Sequence, residues 1–261
     1  MEDSKDSMPP AHGEVLREGS AVDGVREEIR DTAREVRDTA KEAVAAIKPK
    51  LRGWLHLGTA PLALAAGIVL VALAPTTTAR VASAIFALTA VLLFGTSAIY
   101  HRGTGHFSDR TSRLLKRLDH ANIFLIIAGT YTPFALLLLP DSQARTLLWL
   151  VWGGALAGVL FRVLWVGAPR WLYTPVYVAL GWVAVFYMPG FWRSGGPVVV
   201  TLIAAGGLLY TIGAVVYGTK RPNPSPRWFG FHEIFHAFTI VAFAAHYIAV
   251  SFSVYGTTPV G

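Results

Sequence analysis

The chain has 261 residues, 53% hydrophobic and only 15% charged; soluble proteins carry about 25% charged residues, so this deficit and a mean hydropathy of +0.47 exclude an ordinary soluble globular protein. The net charge of +7 is uneven: residues 1–50 hold 9 Lys/Arg against 12 Asp/Glu, and residues 51–261 hold 14 against 4, mostly in short loops between apolar runs, where they set orientation in a bilayer and call for no nucleic acid. Cysteine is absent, which excludes a disulfide framework and leaves His, Asp, Glu and Ser as side chains for a metal site.

Residues 1–20 are polar, interrupted by Pro and Gly, and are expected to be disordered. Their opening, "MEDSKDSMPP", has no apolar core, so no cleaved signal peptide is expected. From 21 to 50, Val22, Val25, Ile29, Ala33, Val36, Ala40, Val44 and Ile47 recur at three- and four-residue steps among mixed charges. This spacing predicts an amphipathic cytoplasmic helix. It pairs with an unidentified partner, lies on headgroups, or is a solvated tail.

Residues 51–253 read as the membrane domain. A crossing needs about 20 apolar residues, and seven runs qualify: 54–74, 79–101, 118–139, 146–166, 170–190, 197–217 and 231–252. The fourth and fifth are separated only by "GAPR", where Pro169 supports a turn. Gly154 and Gly158 form a small-residue step that permits close helix approach. The expected architecture is an all-α, polytopic bundle of seven membrane helices. With the N-terminus in the cytoplasm, twelve Lys/Arg flank the cytoplasmic ends and three the opposite ends. That bias predicts N-in and C-out, with 254–261 as a short extracytoplasmic tail.

Ionisable groups inside spans are costly and are candidates for function. After Lys50 the acidic residues are Asp109, Asp119, Asp141 and Glu233. The topology brings His101 at the end of the second span, Asp119 at the start of the third, and His232 and His236 at the start of the seventh to one depth. His232 and His236 share a helix face, as do Ser97 and His101. Three imidazoles with one open position suit a catalytic zinc site. Each residue also has a plainer reading. His56 and His246 suit hydrogen bonds to other helices, and His106 and His120 suit the interface. Ser97 suits a bond to its own helix, and Asp119 suits pairing with Arg117 or Lys116.

The string "HEIFH" (232–236) fits the H-E-x-x-H pattern, in which the glutamate serves as general base. One step along a helix, Glu233 points about 100° from His232. Asp119 is favoured as partner of the metal's water, with Glu233 the alternative base or a support behind the ligands.

"SAIYHR" in the second span, "LDHANIFLIIAGTYTPF" in the third and "FGFHEIFH" before the seventh resemble the hemolysin III branch of the PAQR superfamily, which includes adiponectin and progestin receptors. The likeness covers about residues 50–252. It implies zinc (Zn2+) held by His101, His232 and His236, with Asp119 on the zinc-bound water and Ser97 nearby as catalytic residues. The receptors commonly carry Gln where this chain has Glu233, which argues against an obligatory base there. The link of the superfamily to alkaline ceramidases implies hydrolysis of a lipid amide or ester in membrane lipid homeostasis, at the cell membrane and with membrane lipids as partners. The alternatives are a non-catalytic receptor-like sensor with structural zinc, and a pore-forming hemolysin active in cytolysis. Pro133, in "GTYTPF", is expected to shape the third helix.

Overall fold

A computed structural model describes residues 26–37, 39, 49–103, 105–165, 167–225 and 227–256. Apart from one bridge between Ser225 and Phe229, its regular structure is helical. The chain divides into two units, Met1–Lys48 and Pro49–Gly261. In the first, residues 26–37 are helical and exposed throughout. The expectations for residues 1–25, 38, 40–48 and 257–261 fall outside the described residues.

The second unit contains α1 (Trp54–Ala72), α2 (Thr77–Arg102), α3 (Asp109–Leu138), α4 (Asp141–Leu164), α5 (Arg170–Trp182), a 3₁₀ turn (Val183–Tyr187), α6 (Met188–Thr219) and α7 (Phe231–Tyr255). Among the described residues six stretches are long and apolar enough to cross a membrane, with Arg170–Thr219 counted as one of 50 residues. The outer surface of this unit carries Trp149, Leu164, Trp171 and Phe186, each at least 74% exposed. Such a surface suits hydrocarbon and would be a large apolar patch in water. Within the bundle α3 is central: 72% of its apolar window is buried, against 22% for α1.

The helix starts follow local chemistry. The Thr76 hydroxyl accepts the Ala79 N–H at 3.1 Å, and the Ser108 hydroxyl accepts the Thr111 N–H at 3.3 Å. The Ser108 cap, with Asp109 in the first turn, starts α3 well before its apolar run, because a side-chain cap and the helix dipole need no lipid. A Cβ at Gly158 of α4 would overlap the Phe124 ring of α3, so glycine there sets the α3–α4 spacing. α3 runs on through Pro133.

Arg170–Thr219 would be about 75 Å long if straight, against a hydrocarbon core of about 30 Å. It is not straight. Gly196 has φ 72° and ψ −178°, a conformation that glycine adopts without a Cβ penalty. Its two halves run antiparallel. Arg170 donates to the Tyr217 carbonyl at 3.4 Å, and Trp182 Nε1 donates to Thr211 Oγ1 at 3.0 Å. The chain therefore reverses about Gly196. Before that reversal, the Tyr131 hydroxyl of α3 accepts the Ala184 N–H and donates to the Gly181 carbonyl, each at 2.6 Å. One buried hydroxyl thus satisfies backbone groups at the 3₁₀ turn.

The segment before α1 crosses the loop before α7. Lys50 N–H donates to the Arg227 carbonyl at 2.9 Å, and Leu51 N–H to the Trp228 carbonyl at 3.3 Å. α7 then packs against α1, α2, α3 and α6. These contacts bring the first and last helices of the bundle to one place.

Candidate metal centre

Ser97 and His101 lie one turn apart at the end of α2 and are both buried. His232 and His236 occupy the first two turns of α7, and Asp119 lies on α3. The three histidines converge: one ring nitrogen from each lies within 4.8 Å of the others. Nε2 of His101 and Nε2 of His232 are 3.1 Å apart. Two neutral imidazoles facing in this way share at most one hydrogen bond, whereas a cation accepts a lone pair from both. Nitrogens bound at about 2.0–2.1 Å to a tetrahedral zinc stand about 3.3 Å apart. The donor set, and the spacing of His101 and His232, therefore suit a metal ion.

Asp119 stands beside this cluster, its Oδ2 at 3.7 Å from His101 Nε2. The Ser97 side chain lies beside its carboxylate. Neither Arg117 nor Lys116 forms an ion pair with it among the described residues.

Glu233 faces away from the cluster. One oxygen meets Arg52 Nε at 2.7 Å, and the other accepts the Gly230 N–H at 2.8 Å. Gly230 precedes α7 and Glu233 is its third residue, so the carboxylate closes one half of a capping box. The Asn223 side chain takes the Phe231 N–H at 3.2 Å.

The other histidines separate cleanly. His56 of α1 stacks on His236, ring centroids 3.8 Å apart and planes 8° from parallel, with the Phe94 ring edge-on. Its two nitrogens are buried without a hydrogen-bond partner, so its contribution to the site is a flat wall fixing the His236 ring. His246 Nε2 donates to the Ile203 carbonyl at 3.1 Å, joining α7 to α6. His120 Nδ1 donates to the Lys116 carbonyl at 2.6 Å, which leaves Nε2 to accept from the Tyr217 hydroxyl at 3.4 Å. His106 is exposed in the α2–α3 loop.

An apolar cavity of about 1550 Å³, its mouth included, extends from Ser97, Asp119, His232 and His236 between α3, α5 and α6. Ile123, Ile127, Phe134, Val178, Met188 and Leu208 are among its walls. The expectation that His56 hydrogen-bonds another helix does not hold: both its nitrogens lack a partner and its ring stacks on His236 instead. Sequence reasoning missed Arg52 as the partner of Glu233, and passed over Arg162, which carried a signal as a charge inside the predicted fourth span.

A multi-pass helical membrane protein with a buried three-histidine cluster able to hold a metal is the class that this fold and site define. The sequence profile of a family described as "Haemolysin-III related" matches residues 44–247. The chain is 33% identical over 168 residues to the "Hemolysin-3 homolog" of Bacillus subtilis (strain 168), covering 64% of this chain and 75% of that one. It is 31% identical over 182 residues to "Hemolysin-3" of Bacillus cereus, covering 70% of this chain and 79% of the relative. The chain belongs to the hemolysin III family of the PAQR superfamily.

Proposed function

We propose that this chain is an integral-membrane zinc hydrolase that cleaves an amide or ester bond of a membrane lipid. The position of Asp119 carries this reading. Its carboxylate is 3.7 Å from the His101 nitrogen, has the Ser97 side chain beside it, and stands at the head of an apolar cavity suited to a lipid chain. Zinc on His101, His232 and His236 would supply a Lewis acid and a water acidified toward pKa ~7. Asp119 accepts the proton of the attacking water as its oxygen bonds to the carbonyl carbon. It returns that proton to the amine or alkoxide when the C–N or C–O bond breaks. Ser97 keeps the carboxylate aimed, and His56 holds the His236 ring.

The test is Asp119→Asn in purified protein. Bound zinc should stay at the wild-type level while turnover of a ceramide or an ester analogue falls by about 10²–10⁴, the range for a general base. Undiminished turnover would refute the mechanism. No turnover in wild type either, with zinc still bound, would favour a receptor-like sensor with structural zinc. The names of the two Bacillus relatives point to hemolysis, but the cavity walls are apolar, as an aqueous pore is not. Conductance in planar bilayers distinguishes that case.

In this reading the chain crosses the cell membrane seven times, N-terminus cytoplasmic and C-terminus outside. The reversal at Gly196 supports two crossings within Arg170–Thr219, and the loop charges support the orientation. The absence of cysteine makes a direct test simple. Ser194→Cys should react with an impermeant maleimide on intact cells, and Lys220→Cys should react only after lysis.

A further inference from the structure

A second, basic pocket lies beside the histidine cluster, between α3, α4, α5 and α6. It encloses about 880 Å³, mouth included, and is lined by Lys116, His120, Arg162, Arg170, Tyr173 and Tyr217, with Lys220 at its edge. Arg162 is 1% exposed. It donates once, to the Trp165 carbonyl at 3.3 Å, while its Nε is buried without a partner. Its guanidinium lies 4.3 Å over the Tyr173 ring, and that of Arg170 lies 4.5 Å over the Tyr217 ring. The two tyrosine hydroxyls are hydrogen-bonded at 3.1 Å. Two linked rings therefore each carry an arginine, and both charges stay fixed in place.

Among the described residues no carboxylate answers these charges. Among the described residues no ion pair involves Lys116, Arg162, Arg170 or Lys220. Asp119 and Glu233 are engaged as described, and Asp109 and Asp141 do not line the pocket. A buried cation without a counter-charge is costly. The helix C-terminal carbonyl meets only part of the Arg162 fork. Guanidinium groups bind phosphate oxygens in pairs, and basic pockets between membrane helices hold phosphate-bearing headgroups. Trp171, 75% exposed at the rim, is the kind of side chain that sits at headgroup depth.

We infer that this pocket is a binding site for a phosphate group, clamped by Arg162 and Arg170 and gathered in by Lys116 and Lys220. The group belongs either to an anionic lipid headgroup or to a free phosphate. The site is separate from the histidine cluster and does not depend on zinc chemistry.

The test uses the full chain in phosphatidylcholine nanodiscs with a few per cent phosphatidic acid, with retained lipid read by native mass spectrometry. Wild type should retain phosphatidic acid over phosphatidylcholine. Arg162→Gln should weaken retention by about tenfold or more, the worth of one charge-assisted hydrogen bond. Lys116→Gln with Lys220→Gln, both exposed and outside the bundle packing, should weaken it by about fivefold per lysine. Should Arg162→Gln fail to fold, Arg170→Gln and the lysine pair carry the same test. Displacement of the lipid by millimolar inorganic phosphate identifies a free-phosphate site, and resistance identifies a headgroup site. Overturning results are no preference for phosphatidic acid together with no effect of inorganic phosphate on thermal stability, or equal retention by wild type, Arg170→Gln and the lysine pair.

Discussion

Glu233 sits between two candidate ligands, in the position that H-E-x-x-H reserves for a base, yet both its oxygens are used elsewhere. Glu233→Ala would leave Arg52 unpaired and the Gly230 N–H without its acceptor. Breaking a buried ion pair costs about 3–5 kcal/mol. Arg52 is 20% exposed against 1% for Glu233, so water relieves part of this and the lower end, about 3 kcal/mol, applies. The lost backbone acceptor adds about 1 kcal/mol. At roughly 2–4 °C per kcal/mol for a domain of this size, the melting temperature should fall by about 8–16 °C. Glu233→Gln keeps one acceptor oxygen for Arg52 or Gly230 and sets an NH2 donor against the other donor, so it should cost about 1–3 kcal/mol. The assay measures thermal unfolding, zinc content and turnover per bound zinc on the same samples. Turnover per zinc should stay within about twofold of wild type in both variants, since neither removes a general base. Glu233→Gln with wild-type melting and zinc content but turnover lowered a hundredfold would refute this reasoning and make Glu233 the base.

His101→Ala should reduce bound zinc from one equivalent to a small fraction, by elemental analysis of the purified protein; equal zinc in both would eliminate the metal centre. Tyr131→Phe orphans the Ala184 N–H and removes the donor to Gly181, so it should cost about 1–3 kcal/mol, read as a lowered melting temperature. Gly158→Leu drives a side chain into the Phe124 ring and should cost at least the roughly 1–3 kcal/mol of overpacking; wild-type stability would show that α3 and α4 separate freely.

The helices were largely legible because an apolar run long enough for a bilayer admits few alternatives. The run read at 231–252 falls within Phe231–Tyr255, and that at 79–101 within Thr77–Arg102. Hydropathy does not register helix in water, so it placed the start of α3 at 118 where Ser108 caps it at Asp109. It also did not reveal the 3₁₀ turn, which rests on a hydroxyl from another helix. The histidine cluster could be anticipated because topology alone sets depth, and depth joined His101 to His232 and His236. What surrounds the cluster could not. Arg52 and Glu233 are 181 positions apart, and no periodicity links them. The stack of His56 on His236 depends on helix rotation, which a depth argument does not contain. Arg162 was visible as a charge in a span, but only the structure shows what lies around it.

His101 and His232, whose Nε2 atoms stand 3.1 Å apart, are separated by 131 positions; His101 is on the second helix of the bundle and His232 and His236 are on the last. A growing chain entering the membrane therefore holds at most one of the three histidines until residue 232 is made. Chains cut short before residue 232 would cross the bilayer several times and still lack the chelating trio. Were the trio to hold a metal, its capture would be the closing event of biogenesis, and a metal-loaded molecule would be one whose final helix has been inserted and packed.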